Sequence, residues 1–396
     1  MKQNNTFQEV KTMHLQIVTP CNIGSGEMLM PKDYFFDKKT VYFVDHYKLH
    51  KFIYEHKLLE EYEKYLENGK TTKNLLAWFK NDGYNFDDVK HCVISSAAAE
   101  HALGKEKGSV NMISAHIKDV YGHVYIPGSS IKGAIRTAIL FHLLEENKQL
   151  KEKFWSKVYD AFKVAQEKYP HERFKEINCV NGYLKRIQDD MEQSLLHKLD
   201  INDKNVKQNN VLRSVMRGVL VGDAALATEE KLAFLQKYDL VFDKDGKLND
   251  KALPLFRECV LPSTAFTFEL KLDLAMTECI GLHSIDELLT WVQEFYDFVY
   301  EIQKQAFGRE KPELFALAEN VNMFLGSNTG FLTKTLFAAL APNMREAVNL
   351  IKVFLDFSFS KHKHSIKDKH ISPRAFKATS YNGKILPMGL ARLEKI

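Results

Sequence analysis

Ile126-Pro127-Gly128-Ser129-Ser130-Ile131-Lys132-Gly133-Ala134-Ile135-Arg136-Thr137 joins a strand-like run to a helix-like one through glycines and serines. His123 to Ile126 reads as the strand, and Pro127-Gly128 break it. Ile131 to Leu144 then places Ile131, Ile135, Ile139 and Leu143 on one helical face. A helix start presents unpaired N–H groups and the positive end of its dipole, which suits an anion. Gly128 and Gly133 let backbone approach a ligand closely. Ser129 and Ser130 add hydroxyls, either of which can cap the helix, and Lys132 and Arg136 add charge. No Asp or Glu occurs from Val120 to Leu144. Gly128 and Gly133 have the spacing of a nucleotide-hydrolysing P-loop, but Ala134-Ile135 replaces its Lys-Ser/Thr, which argues against that function. Two readings stand level on spacing: a phosphate cradle, or an ordinary capped helix with Lys132 and Arg136 solvated.

The pattern recurs at Gly326-Ser327-Asn328-Thr329-Gly330, followed by a predicted helix from Phe331 to Leu340 that carries Thr333 and Lys334. No acid occurs from Asn320 to Met344. Val206 to Gly222 is also acid-free. It holds Lys207, Arg213 and Arg217, the two arginines falling on one side of a predicted strand from Val211 to Val221. Gly24-Ser25-Gly26 lacks the third glycine of a dinucleotide-binding turn. The similarity between the two glycine blocks suggests two related αβ domains, 1–223 and 224–396, in an α+β fold.

The 396 residues, 45% hydrophobic and 27% charged, suffice for two domains with a core that needs no disulfide or metal. Five cysteines stand singly with no CxxC, as in a reduced, cytoplasmic protein. The N-terminus is polar and no apolar run approaches a membrane span, so neither secretion nor a membrane is expected. The net charge is +4 overall. Residues from Ser360 onward carry nine Lys or Arg, Lys361, Lys363, Arg374 and Lys377 among them, against Asp368 and Glu394. Such a basic segment suits either a polyanion or plain solvation.

Strands are predicted over Thr12–Thr19, Tyr34–Asp37, Thr40–Asp45, His91–Ile94 and Val110–Ile117. In the second half, Ala265–Leu274 alternates, with Phe266, Phe268, Leu270, Leu272 and Leu274 on one face. Helices are predicted over Tyr47–Leu66, Asn74–Lys80, Asp286–Lys304 and Pro312–Glu319, with a helical insertion over Lys148–Lys198 divided at Pro170. Asn382-Gly383 between Ala375–Tyr381 and Lys384–Arg392 signals a hairpin. No catalytic set emerges. His362 and His364 lie in a basic run that disfavours a divalent cation, Asp33 and Asp37 are lone carboxylates, and no zinc-type Cys/His set occurs.

The Tyr125–Ala138 block resembles the glycine-rich motif of the RAMP superfamily of CRISPR systems. The opening Leu15–Pro20 with Asn22–Gly26 is similar to that superfamily's first strand and turn. Leu325–Thr335, with Ser372-Pro373-Arg374 to Met388-Gly389-Leu390, resembles the Csm-family subunit that caps the guide RNA 3′ end in type III-A complexes. The resemblance implies two RRM-like (ferredoxin-like) domains with helical insertions, and no cofactor. It implies a subunit that binds crRNA, contacts the repeating Csm backbone subunit and other Csm subunits, and meets target RNA only indirectly. Some relatives recruit host nucleases. The RNA-contacting residues expected are Gly128, Ser129, Ser130, Lys132, Gly133, Arg136, Arg213, Arg217, Gly326, Thr329, Gly330, Lys334, Lys361, Lys363, Arg374 and Lys377. One rival is a metal-independent endoribonuclease of the same superfamily using His362 or His364 with a lysine, and a second is a pure protein–protein scaffold whose glycine loops pack against neighbouring subunits.

Overall fold

The computed structural model describes residues 7–30, 32–37, 40–67, 75, 78–79, 83–95, 113–168, 173–201, 206–243, 245–318, 320–358, 361, 363–370 and 375–396. Its strands are β1 (Gln8–Ile17), β2 (Gly24–Leu29), β3 (Tyr34–Asp37), β4 (Thr40–Val44), β5 (Lys90–Ser95), β6 (Ile113–His116), β7 (Val219–Val221), β8 (Ala225–Leu226), β9 (Leu232–Phe242), β10 (Leu248–Val260), β11 (Ala265–Asp273), β12 (Met323–Phe324), β13 (Phe376–Tyr381), β14 (Lys384–Pro387) and β15 (Leu390–Lys395).

The first sheet has the order β12-β15-β1-β11-β7, with β8 also on β11. β1 runs antiparallel to both neighbours, Leu15 facing Phe266 on one side and Leu393 on the other. Alternation puts Met13, Leu15 and Ile17 on the same buried face as Phe266, Phe268, Leu270 and Leu272. The helix Gly128–Glu145 and the helix Ile285–Phe307 share that core, with Ile131, Ile135 and Ile139 fully buried. Each such side chain contributes roughly 1.5–3 kcal/mol on burial. Because β1 lies between β11 and β15, this sheet draws strands from both sides of residue 223. The fold is α+β.

The second sheet has the order β14-β13-β9-β10-β6-β2, with only the β6–β10 pair parallel. The third, β3-β4-β5, belongs to a small unit with its own core of Leu49, Phe52, Ile53, Tyr62 and Phe79. The hairpin β13–β14 turns at Asn382 (φ 50°) and Gly383 (φ 73°), both left-handed as an Asn-Gly turn requires. Two residues, Met388 and Gly389, then carry the chain from the second sheet into the first.

Several sequence-based elements differ. Val211–Val221 is mostly two 3-10 turns, Val211–Arg213 and Val215–Gly218, capped by the side chains of Asn210 and Ser214, and only Val219–Val221 is strand. Arg213 and Arg217 therefore do not share a strand face. Phe331–Leu340 is a 3-10 turn and a four-residue helix, and the helix expected from Pro312 is two 3-10 turns, Pro312–Leu314 and Ala316–Ala318. His123–Ile126 makes only isolated bridges. Tyr47–Leu66 is two helices broken at Lys57, whose φ is 58°. The insertion is two helices, Lys148–Lys168 and Arg173–Leu196. Pro170, His362, Arg374 and most of Asn74–Lys80 lie outside the described residues.

Candidate nucleic-acid interface

The first glycine block is committed internally. The helix begins at Gly128 with Pro127 as N-cap, so neither Ser129 nor Ser130 caps it. The Gly128 N–H donates to Asp223 Oδ1 at 2.7 Å, so a carboxylate distant in sequence already occupies the helix start. Gly128 is glycine for packing: a Cβ there would lie 2.3 Å from the Val221 carbonyl oxygen. Arg136 is ion-paired with Glu192 of the helical insertion. Lys132 is half-buried, and desolvation lowers its pKa. Ser129 and Gly133 are exposed, whereas Ser130, Lys132 and Arg136 are partly buried. The Arg136–Glu192 pair is partly exposed, so Arg136→Ala is expected to lower stability by less than about 1 kcal/mol in urea unfolding.

Arg213 is a staple. Its guanidinium donates to the carbonyls of Leu199, Ile201 and Val206 at 3.2–3.3 Å, holding the chain that leaves the insertion. Arg217 is exposed and donates to the Leu212 carbonyl. Lys361 and Lys363 are exposed in the segment before β13.

The second glycine block sits at a junction of distant segments. Gly326 (φ 82°) lies so near the chain that a Cβ would be 2.5 Å from the Asn22 carbonyl oxygen. That oxygen accepts from the Ser327 N–H at 2.7 Å, and Asn22 Oδ1 accepts from the Ser327 hydroxyl at 2.6 Å. Cys21 exchanges backbone bonds with Val260. Leu325 N–H donates to Gly389 O at 2.8 Å, Gly389 N–H to Pro20 O at 2.9 Å, and Leu390 N–H to Thr19 Oγ1 at 2.9 Å. Thr329 is buried and accepts from the Thr333 hydroxyl. Its role is to close the loop.

The junction rests on a buried carboxylate. Glu258 accepts from Lys118 Nζ at 2.6 Å and from the His116 N–H at 2.9 Å, while Asn22 Nδ2 donates to the Glu258 carbonyl. His116 Nδ1 accepts from the Ile23 N–H, and burial pushes its pKa down to about 4. The unfolded chain therefore binds an extra proton between pH ~6.5 and ~4, so stability is full above that window and lost as pH falls through it. The loss should reach about 3 kcal/mol. Urea midpoints at pH 7 and pH 4 measure it, and His116→Asn, which keeps an acceptor, should flatten the slope.

The loop gathers cations that no local window of sequence reveals. A Cβ at Gly330 would lie 3.8 Å from Lys377 Cγ, so this loop lies against β13. Lys377 bonds both oxygens of Asp239 on β9, at 2.9 and 3.0 Å, and Lys237 shares Asp239 at 3.8 Å. Desolvation first, then the charge of Lys377, lowers the pKa of Lys237, and Arg257 on β10 adds to the repulsion. Desolvation and then Arg257 lower that of Lys334. Lys334 also lies near Cys21, whose thiol burial pushes up to about 12. Lys237 is thus repelled by Lys377 and Arg257, and Lys334 by Arg257, with Asp239 as the carboxylate that Lys237 and Lys377 share. Arg257 Nε and Asn328 Nδ2 are buried there without acceptors among the described residues. Such a surface lowers its energy by receiving acceptor oxygens with negative charge.

A family model described as the RAMP superfamily matches residues 14–278. The chain belongs to the RAMP superfamily. Within it, the chain is 25% identical over 407 residues to the CRISPR system Cms protein Csm5 of Mycobacterium tuberculosis, across 98% of each. It is 27% identical over 342 residues to the Csm5 protein of Streptococcus thermophilus, across 83% of this chain and 81% of that one. Its fold matches a chain in the cryo-EM structure of a Csm-crRNA-target RNA ternary complex of a type III-A CRISPR-Cas system, with a TM-score of 0.64 at 19% identity, across 98% of this chain and 100% of that one. It also matches the crystal structure of T.onnurineus Csm5, with a TM-score of 0.59 at 19% identity over 96% and 99%. The stretch at Asn22, which carries the superfamily resemblance, meets at the junction described above with those at Gly326 and Gly389, which carry the resemblance to the Csm-family subunit. Among the described residues, no helix is long and apolar enough to cross a membrane.

Arg257 and Lys237 are members of this cation cluster that sequence reasoning missed. Their signal is strand pairing: β9 pairs with β10, which carries Arg257, and with β13, which carries Lys377. Of the catalytic candidates, Asp33 is held in a turn by the Met30 N–H and lies 3.1 Å from His46. His364 is buried with Nδ1 2.8 Å from Asp368 Oδ2.

Proposed function

We propose that this chain is the RNA-binding, non-catalytic subunit of a cytoplasmic type III-A CRISPR (Csm) interference complex. It holds the 3′ portion of crRNA, closes the filament of repeating backbone subunits, and meets target RNA through that assembly. The observation that carries this reading is the convergence of Lys334, Arg257, Lys237 and Lys377 beside the second glycine loop. The names of the relatives support it. Contact is electrostatic and largely independent of sequence, because cations and backbone N–H groups recognise phosphate rather than base edges.

The fold supports two RRM-like units. The order β15-β1-β11-β7, with one helix following β1 and another following β11, is that of a ferredoxin-like unit. The second unit is built on the β13-β9-β10 sheet. On this reading β1, the helix Gly128–Glu145 and β7 precede residue 223, and β11, the helix Ile285–Phe307 and β15 follow it.

Fluorescence anisotropy with a labelled single-stranded guide-like RNA tests the reading, with the same samples run on a gel. Binding that weakens steeply with salt while the RNA stays intact supports it. Cleaved RNA would replace it with the endoribonuclease reading, whose His364 version the burial of that histidine against Asp368 disfavours.

A further inference from the structure

A second cationic cavity lies away from the glycine loop and shares no residue with its cation cluster. It opens between the helix Ile285–Phe307, the helix Met344–Ser358 and the segment 363–370, with a volume of roughly 700 Å³. Arg345, Lys352 and Lys369 line it, and none of the three forms an ion pair among the described residues. The one acid in the lining, Asp368, has a fully buried side chain whose Oδ2 lies 2.8 Å from His364 Nδ1. Ile302 and Val348 give an apolar wall, and Asn349 offers an amide. His370 is anchored at the rim by an edge contact with Phe242, 5.8 Å between ring centres.

We propose that this cavity binds a nucleoside phosphate. Arg and Lys side chains without carboxylate partners recognise phosphate oxygens. An apolar wall accepts the face of a base, and an Asn amide can pair with a base edge. A volume in the ordinary range of small-molecule sites accommodates a nucleotide, whereas phosphate alone would leave the apolar wall unused. The same chemistry comes from a free nucleotide or from one residue of a single strand.

Calorimetric titration of the full chain with AMP, UMP and inorganic phosphate tests the site. AMP is expected to bind at least about tenfold more tightly than phosphate. Arg345→Ala/Lys369→Ala, both at exposed positions, should weaken AMP at least about tenfold. Lys352→Ala is a second, independent variant, and circular dichroism checks that each folds. A single-stranded octanucleotide that competes with AMP identifies a strand as the source of the nucleotide. One that does not compete identifies a free nucleotide, and both results sustain the site. Absence of AMP binding, equal AMP and phosphate affinities, or unchanged affinity in both variants would overturn it. So would a Glu/Leu peptide that binds here more tightly than AMP, which would make the cavity a protein-docking surface. Retention of RNA by Lys334 and Arg257 is measured separately, so the failure of one reading leaves the other intact.

Discussion

Gly389→Ala should destabilise the chain by at least about 3 kcal/mol, the largest effect expected of any single methyl group added to it. Gly389 has φ 71°, a conformation costing an L-residue roughly 1–2 kcal/mol. The greater part is steric. The new Cβ would stand 2.1 Å from the Leu325 carbonyl oxygen and 2.5 Å from Thr329 Cγ2. Neither can retreat cheaply. Leu325 is tied to Gly389 by its own N–H, and its oxygen lies 3.5 Å from Cys21 Sγ. Gly389 is tied in turn to Pro20, so relieving the clash loosens the link between the two sheets. Gly383→Ala is the control. It carries the same backbone penalty at φ 73° but meets nothing within 4 Å, so its cost should stay near 1 kcal/mol. Urea midpoints of the two variants decide the matter. If Gly389→Ala costs no more than Gly383→Ala, the crossing at residue 389 is not a packed junction.

The elements legible in the sequence are those whose pattern is local. β11 alternates cleanly because one face meets the core and the other does not. The Asn382-Gly383 hairpin is written in two residues. The helix Gly128–Glu145 shows its apolar stripe at helical spacing. The pair β9–β10 was not legible, for a physical reason. Ala233, Phe234, Leu235 and Gln236 are all buried, on both faces of the strand, so no alternation survives. In β10 the register shifts between Ala252 and Phe256, and Pro254 interrupts the run. Losing those two strands also hid Lys237 and Arg257. The surroundings of the first glycine block are hidden from the sequence for a related reason. Its neighbourhood is acid-free along the chain, yet Asp223 and Glu192 reach it through the fold. Counting charges in a window of sequence records which groups are near in the chain, whereas a phosphate responds to those near in space.

That difference gives the sharpest test of the RNA-binding reading. Lys334→Ala/Arg257→Ala should weaken single-stranded RNA at least about tenfold near 0.1 M salt. It should also reduce the slope of log affinity against log salt by about 1.4, at ~0.7 for each single-strand phosphate that is no longer neutralised. Lys132→Ala/Arg136→Ala should cost much less, about threefold or under. Arg136 is already neutralised by Glu192, and the helix start beside Lys132 is already covered by Asp223. Asp239→Asn should act in the opposite direction and strengthen binding. Asp239 is the only carboxylate coupled to the cluster among the described residues, and its removal frees both Lys377 and Lys237 to face the strand. Structural damage would weaken RNA in every variant and could not produce that gain. Anisotropy titrations at three or more salt concentrations separate the cases. If the Lys132/Arg136 pair costs more than the Lys334/Arg257 pair, the strand lies on the first glycine block and the face built by β9, β10 and β13 is not the interface.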